Sequence, residues 1–184
     1  MYGYSIDKSW TLFLDRDGVI NVRLVDDYVK SPDEFTFTDG TLQALQLLSD
    51  LFGRIIIVTN QRGIARGLMT EDDLTSVHAA MTRDISRAGG RIDAIYHCPH
   101  DTSAACLCRK PAIGMALRAK EDFPEIDFSR SIMAGDSRSD MAFGENAGMK
   151  CVYVSPDGSL YEGCNHPSVT SLLDFTLNIS GSLK

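Results

Sequence analysis

The stretch TLFLDRDGVIN, residues 11–21, is the part of the sequence that most constrains the fold. Its apolar opening, TLFL, predicts a strand that is buried on both faces. Asp15 and Asp17 follow directly, and Gly18 then lets the backbone turn away. Because successive residues of an extended segment alternate in direction, we expect both carboxylates to face one point and Arg16 to point away from it.

Two carboxylates at one point repel each other unless a cation or a proton lies between them. Carboxylate oxygens are among the ligands that Mg²⁺ prefers. We therefore expect a divalent metal beside Asp15 and Asp17, a raised pKa on one of the two carboxylates, or both. Crowding beside Asp15 would raise the pKa of Asp17. A solvated turn is the alternative interpretation of DRDG, and the apolar strand before it makes that alternative weaker.

The rest of the sequence alternates strands and helices. Further strands are predicted at residues 54–58, 92–96, 131–134 and 150–154. Helices are predicted from the cap Asp39 to Phe52, from the cap Thr70 to Ile85, over residues 112–121 and 140–147, and weakly near 168–177. This pattern predicts an α/β fold, a Rossmann-like, doubly wound, mainly parallel sheet with helices on both faces. We expect a single domain over residues 1–184, with the core at about 9–156, a loop-like tail at 157–184 and no large cap domain.

Polar residues follow several of these strands at the point where each strand ends. Thr59 and Asn60 follow the second strand, and Asp136, in GDSRSD, follows the fourth. Ligands of doubly wound sheets bind beyond the carboxyl ends of the strands, so these residues are expected to meet Asp15 and Asp17. A third carboxylate there is what a magnesium site needs, whereas GDSRSD taken alone could be a turn and a helix cap.

Composition restricts the partners. The net charge of −7 argues against general affinity for nucleic acid or for an anionic membrane. The sequence shows neither a run of roughly 18 apolar residues nor a secretion signal, and we expect a cytoplasmic monomer. If the substrate is anionic, local lysines and arginines together with a metal must overcome the overall charge.

A cluster of metal-binding side chains follows the third strand. Its members, spaced C-x-H-x5-C-x-C, are Cys98, His100, Cys106 and Cys108. Three thiolates and one imidazole suit a closed, tetrahedral Zn²⁺ site, which would be structural because the protein fills every position. We expect the zinc to pin the loop that presents Arg109 and Lys110; chance clustering of reduced cysteines is the alternative. The neighbouring His97, and His78 on its helix, are interpreted as spectators.

Four of these segments together resemble the motifs of the haloacid dehalogenase superfamily of aspartate-nucleophile phosphohydrolases. They are DRDG, Thr59 in VTNQ, Lys110 in CRKP, and GDSRSD, and the match runs from about residue 11 to 154. The resemblance implies that Asp15 attacks phosphorus and forms an aspartyl phosphate. Asp17 would protonate the leaving alkoxide and then activate water. Thr59 and Lys110 would contact the transferring phosphoryl oxygens, and Mg²⁺ would be held by Asp15, Asp136 and the backbone carbonyl of Asp17.

A narrower resemblance concerns the substrate. DRDGVIN, TNQRGIARG, and CPH followed by CLCRKP are similar to the heptose 1,7-bisphosphate phosphatases and the related histidinol phosphatases. This implies a small sugar phosphate as substrate, with hydrolysis of the 7-phosphate of D-glycero-D-manno-heptose 1,7-bisphosphate. Short loops at residues 21–30, 61–66 and 101–109 would select it. The candidate substrate-binding residues are Asn21, Asn60, Gln61, Arg62 and Arg109.

Several features leave alternatives open. Many relatives carry Lys or Arg directly after the metal aspartate, where this chain has Ser137. The short zinc loop is similar to that of histidinol phosphatases, which would want Asp26 or Asp27 near an amine, whereas Asn21 and GIARG are similar to the heptose group. A polynucleotide 3′-phosphatase is disfavoured by the acidic balance. A non-catalytic, zinc-stabilised binding module is the remaining alternative.

Overall fold

A computed structural model describes residues 5–180, so the last four residues of the predicted tail lie outside the described part of the chain. The described strands are β1 (Thr11–Leu14), β2 (Arg54–Asn60), β3 (Ala94–Cys98), β4 (Ser131–Gly135), β5 (Lys150–Val154) and β6 (Ser168–Val169). The described helices are α1 (Thr41–Leu51), α2 (Glu71–Arg87), α3 (Gly114–Asp122), α4 (Arg138–Ala147) and α5 (Leu172–Ser180). The predicted doubly wound α/β fold is confirmed.

The six strands form one parallel sheet in the order β3-β2-β1-β4-β5-β6. The chain therefore runs outward from β1 in one direction, returns to the centre and runs outward in the other. The order reverses between β1 and β4, and a crevice at the carboxyl ends of two such strands is where ligands of this architecture bind.

The pleat of the strands divides the core into two layers. Leu12 and Leu14 face one layer, which α1, α2 and α5 cover, while Phe13 between them faces the other, which α3 and α4 cover. All three side chains are completely buried. β1 is thus packed on both faces, as its unbroken apolar sequence predicts, and the residues that follow it are rigidly placed.

One of the two predicted helix N-caps is present in the structure and the other is not. The predicted capping box of α2 is confirmed, because Thr70 and Asp73 bond each other's backbone N–H reciprocally. The predicted cap Asp39 is wrong, since α1 has Gly40 as N-cap with a left-handed φ of 74° and no capping side chain. Between β1 and α1 the chain forms loops and one 3-10 turn, Pro32–Glu34.

The tail is more ordered than the sequence predicts. Beyond the loop after β5, Ser168–Val169 adds a sixth strand to the sheet edge and α5 packs on α1. Two residues are too few to show a strand periodicity, so this strand could not be predicted. Among residues 5–180, none of the helices combines the length and apolar character needed to cross a membrane.

Candidate active site

The site lies where the strand order reverses, at the carboxyl edge of the sheet. Asp15 and Asp17 follow β1, Thr59 is near the end of β2, and Asp140 lies in the first turn of α4, after β4. Together with Lys110 these residues line a cavity of about 180 Å³. The predicted meeting of polar residues from separate strands therefore occurs.

Gly18 allows the two carboxylate-bearing loops to approach. Its φ is +95°, and a Cβ added there would lie 1.9 Å from Oδ2 of Asp136. A residue with a side chain at position 18 would therefore have an unfavourable backbone conformation, and its Cβ would clash with Asp136 on the loop after β4. Because Gly18 has no side chain, Asp136 can lie directly beside the segment that carries Asp15 and Asp17.

Lys110 is the buried cation of the site and is only 3% exposed. Its Nζ lies 2.8 Å from Oδ1 of Asp15 and 2.6 Å from Oδ1 of Asp140, and it donates to the carbonyl of Val58 at 2.8 Å. Burial disfavours its charge, but Asp140 and Asp15 outweigh burial and raise the pKa of Lys110. Asn60 fixes the Lys110 backbone, accepting from its N–H at 3.0 Å and donating to its C=O at 3.2 Å.

Asp15 is held through one of its two oxygens. Its Oδ1 accepts from the backbone N–H of Arg16 at 2.8 Å and lies beside Lys110. Burial, followed by the charges of neighbouring carboxylates, above all Asp140, raises the pKa of Asp15 to about 7, against the opposing effect of Lys110. Within residues 5–180, these side-chain contacts leave Oδ2 of Asp15 to face the cavity.

Two expectations about Asp17 are wrong. Arg16 does not point away, because its Nη2 donates to both Asp17 oxygens at 2.8 Å and its side chain is completely buried. The pKa of Asp17 is not raised either. Burial acts to raise it, but the Arg16 charge and the hydrogen bonds from Arg16, Asn21 and Gln61 lower the pKa of Asp17 below its ordinary value. The nearest charge to Asp17 is therefore its own sequence neighbour.

Asn21 and Gln61, expected to bind substrate, are completely buried behind Asp17. Asn21 Nδ2 donates to Asp17 Oδ1 at 3.0 Å, and Gln61 Nε2 donates to Asp17 Oδ2 at 2.9 Å and to Thr59 Oγ1 at 2.8 Å. Four donor contacts thus surround one carboxylate and hold it in a single orientation. In this arrangement both amides are buried and bind Asp17.

His78, interpreted above as a spectator, contacts this group from α2. Its Nε2 lies 3.2 Å from Nη1 of Arg16. Burial, the Arg16 charge and His97 lower the pKa of His78 to about 3. The imidazole is therefore neutral at physiological pH and contacts the terminal nitrogen of Arg16 that does not bind Asp17.

Three carboxylates converge on the cavity and could hold a divalent cation. Asp15, Asp136 and Asp140 each offer an oxygen, and these oxygens lie within 4.8 Å of one another. Asp140 is already engaged, because Oδ1 contacts Lys110 and Oδ2 accepts from the N–H and hydroxyl of Ser137 at the N-terminus of α4. Among the described residues, Asp15 is contacted through Oδ1, and the oxygens of Asp136 are contacted by Arg23, whose side chain is exposed.

Basic side chains surround the mouth of the cavity. Arg23 Nη1 contacts both oxygens of Asp136 at 3.0 and 3.2 Å, Arg62 Nε pairs with Asp101 at 3.0 Å, and Arg109 also lines the opening. With Lys110 beneath them, they place four basic side chains around a cavity that aspartates also line. An anionic ligand would therefore meet local cations in an otherwise acidic protein.

The cysteine and histidine cluster closes the loop after β3. Sγ of Cys98 lies 3.0 Å from Sγ of Cys108 and 3.6 Å from Sγ of Cys106, and Nδ1 of His100 lies 3.2 Å from Sγ of Cys108. Tetrahedral zinc with Zn–S bonds of about 2.3 Å places sulfur atoms roughly 3.8 Å apart, so the cluster has nearly the required size. None of these cysteines is in a disulfide.

Sequence reasoning missed four residues of the site: Arg16, Arg23, His78 and Asp140. Only Asp140 had a readable signal, since Ser137 and Asp140 have the Ser-x-x-acid spacing of a capping box. His78 lies on α2 and Arg23 on the loop after β1. His78 contacts Arg16, 62 residues away in sequence, and Arg23 contacts Asp136, 113 residues away, and local sequence patterns do not predict contacts at such separations.

Comparison with known proteins identifies the family. Residues 107–162 match the HAD-hydrolase-like family. The chain is 36% identical to the D-glycero-alpha-D-manno-heptose-1,7-bisphosphate 7-phosphatase of Mycobacterium bovis over 173 residues, covering 92% of this chain and 91% of that one. It is 34% identical to the beta-anomer 7-phosphatase of Haemophilus influenzae over 179 residues, covering 94% and 96%.

A solved structure gives the same answer. The D,D-heptose 1,7-bisphosphate phosphatase from B. bronchiseptica, complexed with magnesium and phosphate, superposes with a TM-score of 0.83 at 32% identity, covering 94% of this chain and 99% of that one. Fold, site and sequence agree. The chain is a phosphatase of the haloacid dehalogenase superfamily and belongs to the family of heptose 1,7-bisphosphate 7-phosphatases.

Proposed function

We propose that this protein removes the 7-phosphate of D-glycero-D-manno-heptose 1,7-bisphosphate through an aspartyl phosphate on Asp15. The observation that carries the proposal is the cavity in which Asp15, Lys110 and Thr59 meet beneath a rim of arginines. The phosphate that reacts requires a nucleophile and cations at the bottom of the cavity. The second phosphate of a bisphosphate requires further cations at the mouth of the cavity. The names of the relatives match this arrangement.

The donor set fits Mg²⁺. Carboxylates that converge with a single buried lysine leave uncompensated negative charge, and hard oxygen ligands suit this ion. We assign Asp15, Asp136 and the backbone carbonyl of Asp17 as its ligands. When bound, the ion neutralises the charge of the nucleophile and of the phosphate. A relative with magnesium and phosphate supports the assignment.

The first half of the reaction breaks the ester bond. Oδ2 of Asp15, the oxygen not engaged by Lys110 or by the Arg16 amide, attacks phosphorus as the bond to the sugar oxygen breaks. Lys110 and the Thr59 hydroxyl stabilise the phosphoryl oxygens. Asp17 gives its proton to the leaving alkoxide and becomes a carboxylate.

The lowered pKa of Asp17 determines when that proton arrives. In the free site Asp17 is ionised, so the proton must be taken up as the substrate binds, from solvent or from a monoanionic phosphate ester. The negative phosphate beside Asp17 favours this uptake. In the second half Asp17 is again a carboxylate, and it accepts a proton from the water that attacks the aspartyl phosphate and releases phosphate.

The rim favours a second phosphate over an amine. An outer pocket is lined by Arg23, Arg62 and Arg66, and of its two aspartates, Asp27 is already paired with Lys30 at 2.8 Å. Histidinol phosphate would place a cationic amine against these arginines, which like-charge repulsion disfavours. The histidinol-phosphatase alternative is therefore weaker. Asn60, Arg62 and Arg109 remain our proposed substrate-binding residues, and Arg23 joins them.

We also propose a structural Zn²⁺ at Cys98, His100, Cys106 and Cys108, supported by the size and composition of the cluster. The loop it would hold carries Arg109 and Lys110, so it would set the position of the buried cation. Unpaired thiolate ligands suit a reducing compartment, which supports a cytoplasmic location.

Phosphate release with Mg²⁺ across a substrate panel tests the proposal. The panel contains both anomers of the heptose bisphosphate, histidinol phosphate and a 3′-phosphorylated oligonucleotide, with Asp15→Asn as the blank. We expect one heptose anomer to exceed the other substrates in kcat/KM at least tenfold, about 1.4 kcal/mol of transition-state discrimination. A preference for histidinol phosphate or for the oligonucleotide would refute the substrate assignment. Phosphate release by the blank equal to that of the native enzyme would refute Asp15 as nucleophile.

A further inference from the structure

Arg16 is an unusual side chain to find between two catalytic carboxylates, because it is completely buried and its Nε has no hydrogen-bond partner in the described part of the chain. Its guanidinium makes two side-chain contacts, with Asp17 through Nη2 and with His78 through Nη1. A long side chain orients its partner only if its own far end is fixed. In the described part of the chain, Nη1, the terminal nitrogen that does not bind Asp17, is held by His78.

The protonation state of His78 follows from this contact. A guanidinium only donates hydrogen bonds, so Nε2 of His78 must accept and must carry a lone pair. The imidazole is then neutral with its proton on Nδ1. Its pKa, lowered to about 3, agrees with this state. A charged histidine would repel Arg16 and release the guanidinium.

The surroundings of His78 fix its position. α2, which carries it, buries Leu74, Val77, Met81 and Ile85, and the last two belong to the core layer that Leu12 and Leu14 face. The backbone carbonyl of His78 also accepts from the hydroxyl of Thr82 at 2.7 Å. The helix is therefore a rigid support, and the imidazole transmits that rigidity to Arg16.

We propose that Arg16 and His78 are positioning residues that orient Asp17 for proton transfer to the leaving oxygen. This inference rests on the proposed role of Asp17 as the acid and base of the reaction. Arg16 also supplies the counter-charge for the carboxylate that Asp17 becomes once its proton has moved. Neither residue lies on the cavity wall, so neither contacts the phosphate.

Substrates with different leaving groups distinguish misplacement of the general acid Asp17 from a general loss of site structure. A sugar alkoxide is a strong base and needs the proton of Asp17, whereas p-nitrophenolate leaves with little assistance. kcat/KM reports only the steps up to formation of the aspartyl phosphate, so the later hydrolysis does not interfere. A change that misplaces Asp17 must therefore affect the sugar phosphate more than p-nitrophenyl phosphate.

The experiment compares His78→Leu, which removes the acceptor, with His78→Gln, whose amide oxygen can replace Nε2. His166→Leu, on the loop after β5, is the matched control. We expect His78→Leu to lower kcat/KM at least tenfold for the heptose bisphosphate and less than threefold for p-nitrophenyl phosphate. His78→Gln and the control should stay within threefold of the native enzyme for both substrates. Asp17→Asn should show the same leaving-group selectivity in a stronger form.

Equal losses on the two substrates would overturn the inference, because a structural defect acts on both alike. Loss in His78→Gln equal to that in His78→Leu would overturn it as well. If His78→Leu does not fold, His78→Asn replaces it, since its oxygen falls short of Nη1, and the comparison with His78→Gln decides. Failure of the native enzyme to hydrolyse either ester would instead refute the proposed function.

Discussion

Replacement of Lys110 by methionine removes one buried charge and keeps most of the side-chain volume. The lost ammonium lies 2.8 Å from Asp15, 2.6 Å from Asp140 and 2.8 Å from the Val58 carbonyl. By analogy with the loss of one oxyanion-hole donor, the activation barrier should rise by about 3 kcal/mol, roughly a 150-fold fall in kcat. Two carboxylates would also be left buried without their cation, which costs about 3–5 kcal/mol of stability.

A double variant separates these two effects. In Lys110→Met with Asp140→Asn, one of the uncompensated charges is gone, so most of the stability should return while kcat stays low. Stability is measured by urea unfolding and kcat by phosphate release. Lys150→Met, at the opposite edge of the sheet where β5 begins, is the control. Phosphate release within threefold of native in the single variant, or recovery of activity together with stability in the double, would refute the reasoning.

Three further predictions test the metals and the approach of the two loops. Cys108→Ser should abolish binding of about one zinc per chain in elemental analysis and lower the melting temperature, whereas Cys164→Ser, outside the cluster, should retain the metal. Because the pKa of Asp15 is raised to about 7, the metal-free protein keeps a proton that the unfolded chain loses from about pH 4, and its stability falls as pH rises between these values. Mg²⁺ at the proposed site would replace that proton, so thermal melts should show Mg²⁺ stabilising more at about pH 8 than at about pH 5, and a smaller difference in Asp15→Asn, where the raised pKa of Asp136 still contributes. Gly18→Ala should lower kcat at least tenfold and stability by about 1–3 kcal/mol, since its Cβ would lie 1.9 Å from Asp136 Oδ2; native-like phosphate release would contradict the packing.

Fold and site differ in how far the sequence could predict them. The two-layer core follows from strands such as β1, in which every residue is apolar or buried, and β2 is predicted almost to its ends. β6 escaped prediction because it has two residues. The cap of α1 escaped because Gly40 acts through its backbone conformation and not through a side chain.

Site chemistry was predictable where it depends on strand ends. Asp15 and Thr59 converge because parallel strands end at one edge, and the cysteine and histidine cluster that includes Cys98 is recognisable from its local spacing. The pKa of Asp17 was not predictable. Its direction depends on Arg16, and whether an arginine folds back onto its neighbour or points to solvent is settled by what packs around it.

The sequence by itself predicted the parallel α/β sheet, the convergence of Asp15 and Thr59 at one edge and the grouping of the cysteine and histidine cluster, since each depends on strand position or local spacing. The roles proposed for Asp15, Asp17 and Lys110 come from the resemblance of their motifs to a phosphatase superfamily. Only the tertiary structure decided which side chains pair in the site. His78 on α2 and Arg23 on the loop after β1 reach Arg16 and Asp136 across the fold. Electrostatic effects in a buried site depend on distances of a few ångströms between segments remote in sequence, and only packing sets those distances.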